Sequence, residues 1–341
     1  MKNCKILEMS WWMSRMTTLL GCLVLTMASC SMDDGDETED ASGPITTTTR
    51  AMDCSFSNKV LFTKKGSGSV RRFMALMPVP RTNFYQQVSN VVCSDGRVVT
   101  DRNYSNKVLY VEREGFPGKE YTLQTTFDVK TNKVFVDVSR IKEILPYDPA
   151  SEPCKRHLGD RGAYVITSHP WVVKVGDELW QQSSDVLDYA RRCYEYVASH
   201  FRYIHGSDRT LDQILKEGGG ECGDFSTVVV NLLRYKGIPS RHNLCLMLKG
   251  GYHVWVDFYL EGYGWIPLDA TYKNGNPSGN YFGTYDGQCL IMMQDLCYDT
   301  DIDAFRGCDL LQTYVYWYES YDGNCDISSG HYFGIVNKSA Q

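Results

Sequence analysis

The chain has 341 residues, of which 43% are hydrophobic and 13% aromatic, enough for about two domains with substantial cores. Its formal net charge is only −6, and part of that lies in one N-terminal run, so no basic face for nucleic acid is expected. There is no internal repeat, heptad array or phosphate-binding glycine motif.

In chain order, Arg15 precedes an apolar run from Met16 to Ala28, too short for a stable transmembrane helix. The run ends in Met27-Ala28-Ser29-Cys30, whose small residues suit a signal peptidase cleft. This boundary resembles the bacterial lipobox, which implies that Cys30 is lipidated and becomes the mature N-terminus. Residues 1–30 are therefore expected to be a lipoprotein signal peptide. Asp33, Asp34, Asp36, Glu37, Glu39 and Asp40 follow, and a Ser/Thr-rich stretch extends them to Thr49. Like charges repel and stay solvated, so residues 31–55 read as a tether. The acidic patch also resembles the surface-export signal of Bacteroidetes lipoproteins. Ser31 in place of Asp after the lipid site implies an outer-membrane lipoprotein, with exposure at the cell surface as the further implication.

Residues 56–145 read as short strands over 70–77, 84–93, 108–112, 120–129 and 133–138. Turn chemistry at Ser94-Asp95-Gly96, Gly115-Phe116-Pro117-Gly118 and Thr131-Asn132 separates them. Leu123, Thr125, Phe127 and Val129 alternate with Thr122, Gln124, Thr126 and Asp128, the period of a half-buried sheet. A β-sandwich-like domain is expected here. Residues 146–182 read as an irregular connector.

Residues 183–285 change period. Leu187, Ala190, Tyr194, Val197 and Phe201 are spaced as one helix face, and Thr210 with Gln213 forms a capping box for a short helix ending at Gly218. Phe225, Val228, Val229, Leu232 and Leu233 then predict a helix from Cys222 to about Lys236, stopped by Gly237 with Pro239 beyond. Strands are expected over 243–248, 253–260 and 265–269. The tail from 286 to 341 reads as a β-rich extension that either enlarges the sheet or forms an appendage.

Cys222 follows Gly218-Gly219-Gly220-Glu221 and opens that helix, where unpaired N–H groups and the helix dipole favour a thiolate. His253 stands in a strand, on a face with Trp255, Asp257 and Tyr259, and can take the thiol proton. Asp269 ends the next strand, where a carboxylate can orient the imidazole or simply make a turn. His242 is the second choice of base. Trp255 and Trp265 are expected to wall the groove. Nucleophile, base and orienting acid in this order are the parts of a cysteine acyl-transfer enzyme.

These anchors, with Gly237-Ile238-Pro239-Ser240-Arg241 and Tyr281-Phe282-Gly283, resemble the core of the transglutaminase-like superfamily over roughly residues 184–285. The resemblance implies an α+β fold with a papain-like core and a catalytic set of Cys222, His253 and Asp269. It also implies two oxyanion donors: the Cys222 backbone N–H and an upstream side chain, for which Tyr203 is the candidate. The crosslinking enzymes of the family carry Gly-Gln-Cys-Trp at the nucleophile, whereas this chain has Gly-Glu-Cys-Gly. Hydrolysis of peptide or amide bonds through a thioester is therefore the expected activity. Protein-glutamine transamidation and a non-catalytic surface binding module on the same fold are the alternatives. Protein or peptide substrates are expected, and no cofactor. Setting aside Cys4, Cys22, Cys30 and Cys222, the remaining cysteines are odd in number, scattered and without a Cys-x-x-Cys pair. They read as small buried hydrophobes rather than metal ligands.

Overall fold

A computed structural model describes residues 45–206, 209–296, 298–302, 312–321 and 323–336. The signal segment, Cys30 and the acidic run lie outside the described residues. The chain opens with strands β1 (Thr46–Gly66), β2 (Val70–Val79), β3 (Gln86–Cys93), β4 (Arg97–Thr100), β5 (Lys107–Glu114) and β6 (Glu120–Val136). Helices α1 (Glu152–His157), α2 (Pro170–Gln181) and α3 (Val186–His200) come next. They lead to β7 (Arg202–Tyr203), α4 (Leu211–Glu217), β8 (Gly219–Gly220) and α5 (Cys222–Tyr235). Then come β9 (Ser240–Met247), β10 (Tyr252–Leu260), β11 (Gly264–Leu268), α6 (Ala270–Gly275) and β12 (Thr284–Tyr285). The last strands are β13 (Cys289–Gln294), β14 (Val315–Ser320) and β15 (Cys325–Val336). The fold is α+β.

Two sheets form the sandwich. One runs β12-β6-β1-β15 with β3 also on β6, and the other runs β14-β2-β5-β4. In β6 Leu123, Thr125, Phe127, Val129 and Thr131 are buried at every second position, the alternation expected of a strand with one face covered. Between the sheets Phe62 meets Phe73 edge-on at 5.1 Å and Tyr316 at 5.2 Å. Aromatic pairs in this geometry add about 0.5–1.5 kcal/mol beyond their burial.

Several sequence expectations change here. The tether expected over 31–55 ends earlier, because Thr46 to Ser55 already pair with β6. A run of threonines is β-branched and suits a strand as well as it suits solvent. Thr131-Asn132 is not a turn. The Asn132 N–H goes to Tyr85 O at 2.9 Å, and β6 continues past a register shift between Arg50 and Met52 opposite. The segment 146–182 is not irregular throughout. His169 caps α2, Pro170 occupies its first turn, and Val172 and Val175 are buried. The tail 286–341 is no single appendage: β13 joins the sheet of the second half, while β14 and β15 complete the two sheets of the sandwich.

The second half is an antiparallel sheet, β11-β10-β9-β13, with α5 against it. Val228, Val229 and Leu232 of α5 share a buried cluster with Val256 and Phe258 of β10 and with Tyr189 and Val197 of α3. Each such fully buried aliphatic side chain contributes about 1.5–3 kcal/mol. Leu244, Leu246, Val254 and Leu290 instead join Leu76 and Phe127 of the sandwich in a second cluster. The core sheet thus rests on the sandwich.

Candidate active site

Three glycines carry the chain to Cys222, each for its own reason. Gly218 takes the left-handed conformation (φ 67°) that ends α4, the helix opened by the Thr210–Gln213 capping box. A Cβ on Gly219 would stand 2.1 Å from the Arg202 carbonyl oxygen, across the parallel pairing of β7 and β8. A Cβ on Gly220 would stand 2.1 Å from Asp224 Oδ2. That carboxylate accepts the Glu221 N–H at 2.8 Å and Arg209 Nη1 at 3.0 Å, and Arg209 Nε reaches Glu217 at 2.8 Å. The loop is thereby clamped to the first turn of α5, with Cys222 as its half-buried first residue. The first N–H groups of a helix lack intrahelical acceptors and carry the positive end of its dipole.

His253 lies near the start of β10 and is 5% exposed. Its Nε2 is 2.5 Å from Asp269 Oδ2, and Cys222 lies within electrostatic reach of the same imidazole. The Tyr272 ring stacks on the imidazole, 4.3 Å between centroids and 10° between planes. Gln312 Nε2 donates to the His253 carbonyl at 2.9 Å and to the Cys245 carbonyl at 2.8 Å, holding the backbone behind it. Burial opposes protonation of His253, but the Asp269 carboxylate and the Cys222 thiol outweigh it and raise the imidazole well above its ordinary value.

Asp269 follows β11 directly and serves two groups at once. Oδ2 binds His253, while Oδ1 accepts the Tyr272 N–H at 2.9 Å as the N-cap of α6. Its own N–H donates to Tyr281 O at 3.0 Å, and the Gly283 N–H donates to Pro267 O at 2.7 Å. The Tyr281-Phe282-Gly283 segment therefore ties down the strand end that carries the acid.

The other candidates separate. Tyr203 pairs with Gly220 through β7 and β8; burial first, then the negative potential of Cys222, pushes its phenol up to about 12. It sits in reach of the thiol's field, with 44% of its surface exposed. His242 is elsewhere: it is buried between Thr227, at 3.2 Å, and Asp295, at 3.6 Å. Asp257 accepts from Tyr85 at 2.6 Å and Arg241 at 3.0 Å. Trp255 lines a cavity of about 260 Å³ with His253, Asp269, Tyr272 and Tyr285. Trp265 does not; its ring lies under the Arg241 guanidinium at 3.9 Å.

Sequence reasoning missed Tyr272, Gln312 and the Arg209–Asp224 clamp. Only Tyr272 had a local signal, standing three residues after a capping aspartate. The buried Cys154, Cys193, Cys245, Cys289 and Cys325 behave as small core residues. Among the described residues no group of His, Cys, Asp and Glu could hold a metal ion, and no helix is long and apolar enough to cross a membrane.

A thiol at a helix N-terminus, an imidazole beside it and a carboxylate on the far ring nitrogen can support nucleophilic acyl transfer. Residues 173–270 match the family model of the transglutaminase-like superfamily. A crystal structure described as a candidate cysteine protease of Cytophaga hutchinsonii superposes with a TM-score of 0.59 at 14% identity. It covers 86% of this chain and 95% of that one. The periplasmic domain of TgpA from Pseudomonas aeruginosa gives a TM-score of 0.37 at 18% identity, over 62% of this chain and 73% of that domain. An uncharacterised protein of Haemophilus influenzae is 30% identical over a match covering 19% of this chain; the match spans a quarter of that relative's length.

Proposed function

Taking residues 173–270 as a core of the transglutaminase-like superfamily, we propose that the protein is a cysteine hydrolase of peptide or amide bonds, with Cys222 as nucleophile, His253 as acid–base and Asp269 as orienting group. One observation carries the reading: a single buried imidazole is bonded to Asp269 and lies within electrostatic reach of Cys222. In the proposed reaction Cys222 Sγ attacks the amide carbonyl carbon. His253 delivers its proton to the departing amine as the C–N bond breaks, leaving a thioester. Water then attacks the thioester, His253 takes its proton, the acid leaves and the thiol is restored. The Cys222 N–H is the first oxyanion donor in this reading, and Tyr203 is the candidate for the second. Lipidation at Cys30 and attachment to the outer membrane are part of the same proposal and rest on the Met27-Ala28-Ser29-Cys30 boundary.

The test is a proteome-derived peptide mixture incubated with purified protein, with new termini read by mass spectrometry and Cys222→Ala as control. New carboxyl termini that depend on Cys222 support hydrolysis. Incorporation of an added primary amine instead would reassign the protein to transamidation. Neither product would leave the binding-module alternative standing.

A further inference from the structure

A second cavity, of about 300 Å³, opens where the sandwich meets the core. Arg81 and Ser105 come to it from the sandwich side, and Arg156, His157, Arg241 and Trp265 from the core side. It is remote from the thiol. His253 and Asp257 are four residues apart on β10, about 13 Å at strand rise, and Arg241 pairs with Asp257 while Cys245 pairs with His253.

The charges around it do not balance locally. Arg241 is neutralised by Asp257 at 3.0 Å and stands over the Trp265 ring at 3.9 Å. Arg156 pairs with Glu152 at 3.1 Å, the one carboxylate that lines the cavity. The neighbouring Asp295 is taken by Arg234 at 2.6 Å and His157 at 2.8 Å. Arg81 has no carboxylate partner among the described residues. Its Nη2 donates to the neutral Gln294 Oε1 at 2.8 Å, and its buried Nε has no hydrogen-bond partner. Burial, then repulsion from Arg241 and Arg156, pushes the Arg81 guanidinium below its ordinary value. Holding three guanidinium groups around one hollow, one of them with a buried unbonded N–H, opposes folding unless something compensates. Ser105, at the same cavity, holds a left-handed backbone (φ 60°) that non-glycine residues rarely adopt.

We propose that this cavity is a binding site for a small oxyanion, a carboxylate or a phosphate, gripped by Arg81 with Arg156 and Arg241 around it and with Tyr104 and Trp265 as its flat walls. A guanidinium edge matches the paired oxygens of either group, and a low-dielectric wall strengthens the attraction. Because the cavity is lined by both halves of the molecule, the bound anion would bridge them. The site is independent of the hydrolase reading and stands or falls separately.

Isothermal titration of the purified chain with sodium phosphate and, separately, sodium succinate tests this, with ionic strength held constant by sodium chloride. At least one titrant is expected to bind saturably, and which one does so identifies the chemistry. Arg81→Gln should weaken that binding about tenfold or more, the value of a charged hydrogen bond. Cys222→Ala should bind as the wild type does. Should Arg81→Gln fail to fold by circular dichroism, Arg156→Gln, at a side chain about one-third exposed, is read instead and should also weaken binding. No saturable binding by either titrant, wild-type affinity in the folded arginine variant, or loss of binding in Cys222→Ala would each overturn the proposal.

Discussion

Asp269 binds His253 with one carboxylate oxygen, at 2.5 Å, and caps the helix that begins at the next residue with the other. The two roles weighed for it, turn residue and orienting acid, are not alternatives. The cap fixes the carboxylate in place, and the carboxylate then fixes the ring. Strand β11 delivers the group, and the Tyr281 carbonyl bonded to its N–H keeps the strand end from fraying.

Asp269→Asn should therefore separate chemistry from stability. Asn caps helices as well as Asp does, so α6 should stay capped and, above the pH range in which His253 is charged, the melting temperature should change little. A neutral amide cannot stabilise the imidazolium, and it invites the wrong tautomer. The analogous change in serine proteases costs about 10⁴ in kcat. A thiol ionises more readily than a hydroxyl, so a loss of about 10–10³ is expected here. Asp269→Ala should lose the same activity and also about 1 kcal/mol of stability with the cap. Turnover assays beside thermal melts check both, and wild-type turnover in Asp269→Asn would make the residue a cap alone.

The same pair sets a pH dependence. His253 is raised above its unfolded value of about 6.5 by Asp269 and Cys222. Its contribution to stability is thus fully present below that pH and is lost as pH rises through the higher folded value. In Asp269→Asn the raising partner is gone while the burial remains. The stability gap between wild type and Asp269→Asn should be fully open below about pH 6.5 and narrow as pH rises above it. Chemical denaturation across this range measures it; a gap that grows with pH would contradict the ion pair.

Much of the core was legible because its signals are local. The capping box at Thr210, the apolar stripe of α5 and the stop at Gly237 lie within a few residues of what they specify. The cysteine, histidine and acid could be ordered along the chain before they could be placed in space. What failed depends on partners far away in sequence. Thr46–Gly66 became an interior strand because β15 and β6 flank it, and no local pattern announces a pairing between Ser55 and Val336. Gln312 reaches the His253 carbonyl from a segment with no periodicity of its own. Trp265 and Trp255 looked equivalent as strand aromatics, yet one meets Arg241 and the other the cavity beside His253.

Neighbouring glycines should respond differently to alanine. At Gly218 nothing lies within 4 Å of the added Cβ, so only left-handed strain opposes it, about 1–2 kcal/mol. At Gly220 the new atom falls 2.1 Å from Asp224 Oδ2 and 2.5 Å from Asp224 Cβ, and the clamp on the Cys222 turn must move. Displacing a reacting group by about 1 Å costs on the order of 10²-fold in rate. Gly220→Ala should thus lose far more activity than Gly218→Ala at comparable melting temperature. Equal activity in the two variants would show that the clamp does not position the thiol.

Thiol reactivity offers a test without a known substrate. Cys222 is half-buried beside an imidazole, whereas Cys154, Cys193, Cys245, Cys289 and Cys325 are buried. Burial raises the Cys93 thiol, which slows its reaction. Iodoacetamide at about pH 6 should label the Cys222 peptide first, and Cys222→Ala should remove the fast phase. Indistinguishable labelling of the two proteins would count against a nucleophile at this position.

His242 and Asp295 complete the case for His253. Asp295 is fully buried and bonded to Arg234, His157 and its own Leu296 N–H, with His242 3.6 Å away. Burial works against its charge, but Arg234 and the two histidines hold it well below its ordinary value. Its contribution is present above the unfolded value of about 3.9 and is lost as pH falls through the folded one. Burial, on balance, lowers both His157 and His242, so the set is best described as one Arg–Asp pair with neutral imidazoles around it. Asp295→Asn leaves Arg234 buried without its charge partner and should cost about 3–5 kcal/mol. His242→Gln keeps a polar group beside Thr227 and should lower stability by less, with kcat per folded molecule close to wild type. His253→Gln should instead remove turnover from a folded protein. If His242→Gln abolishes turnover while remaining folded, and His253→Gln does not, the base is His242 and the assignment made here is wrong.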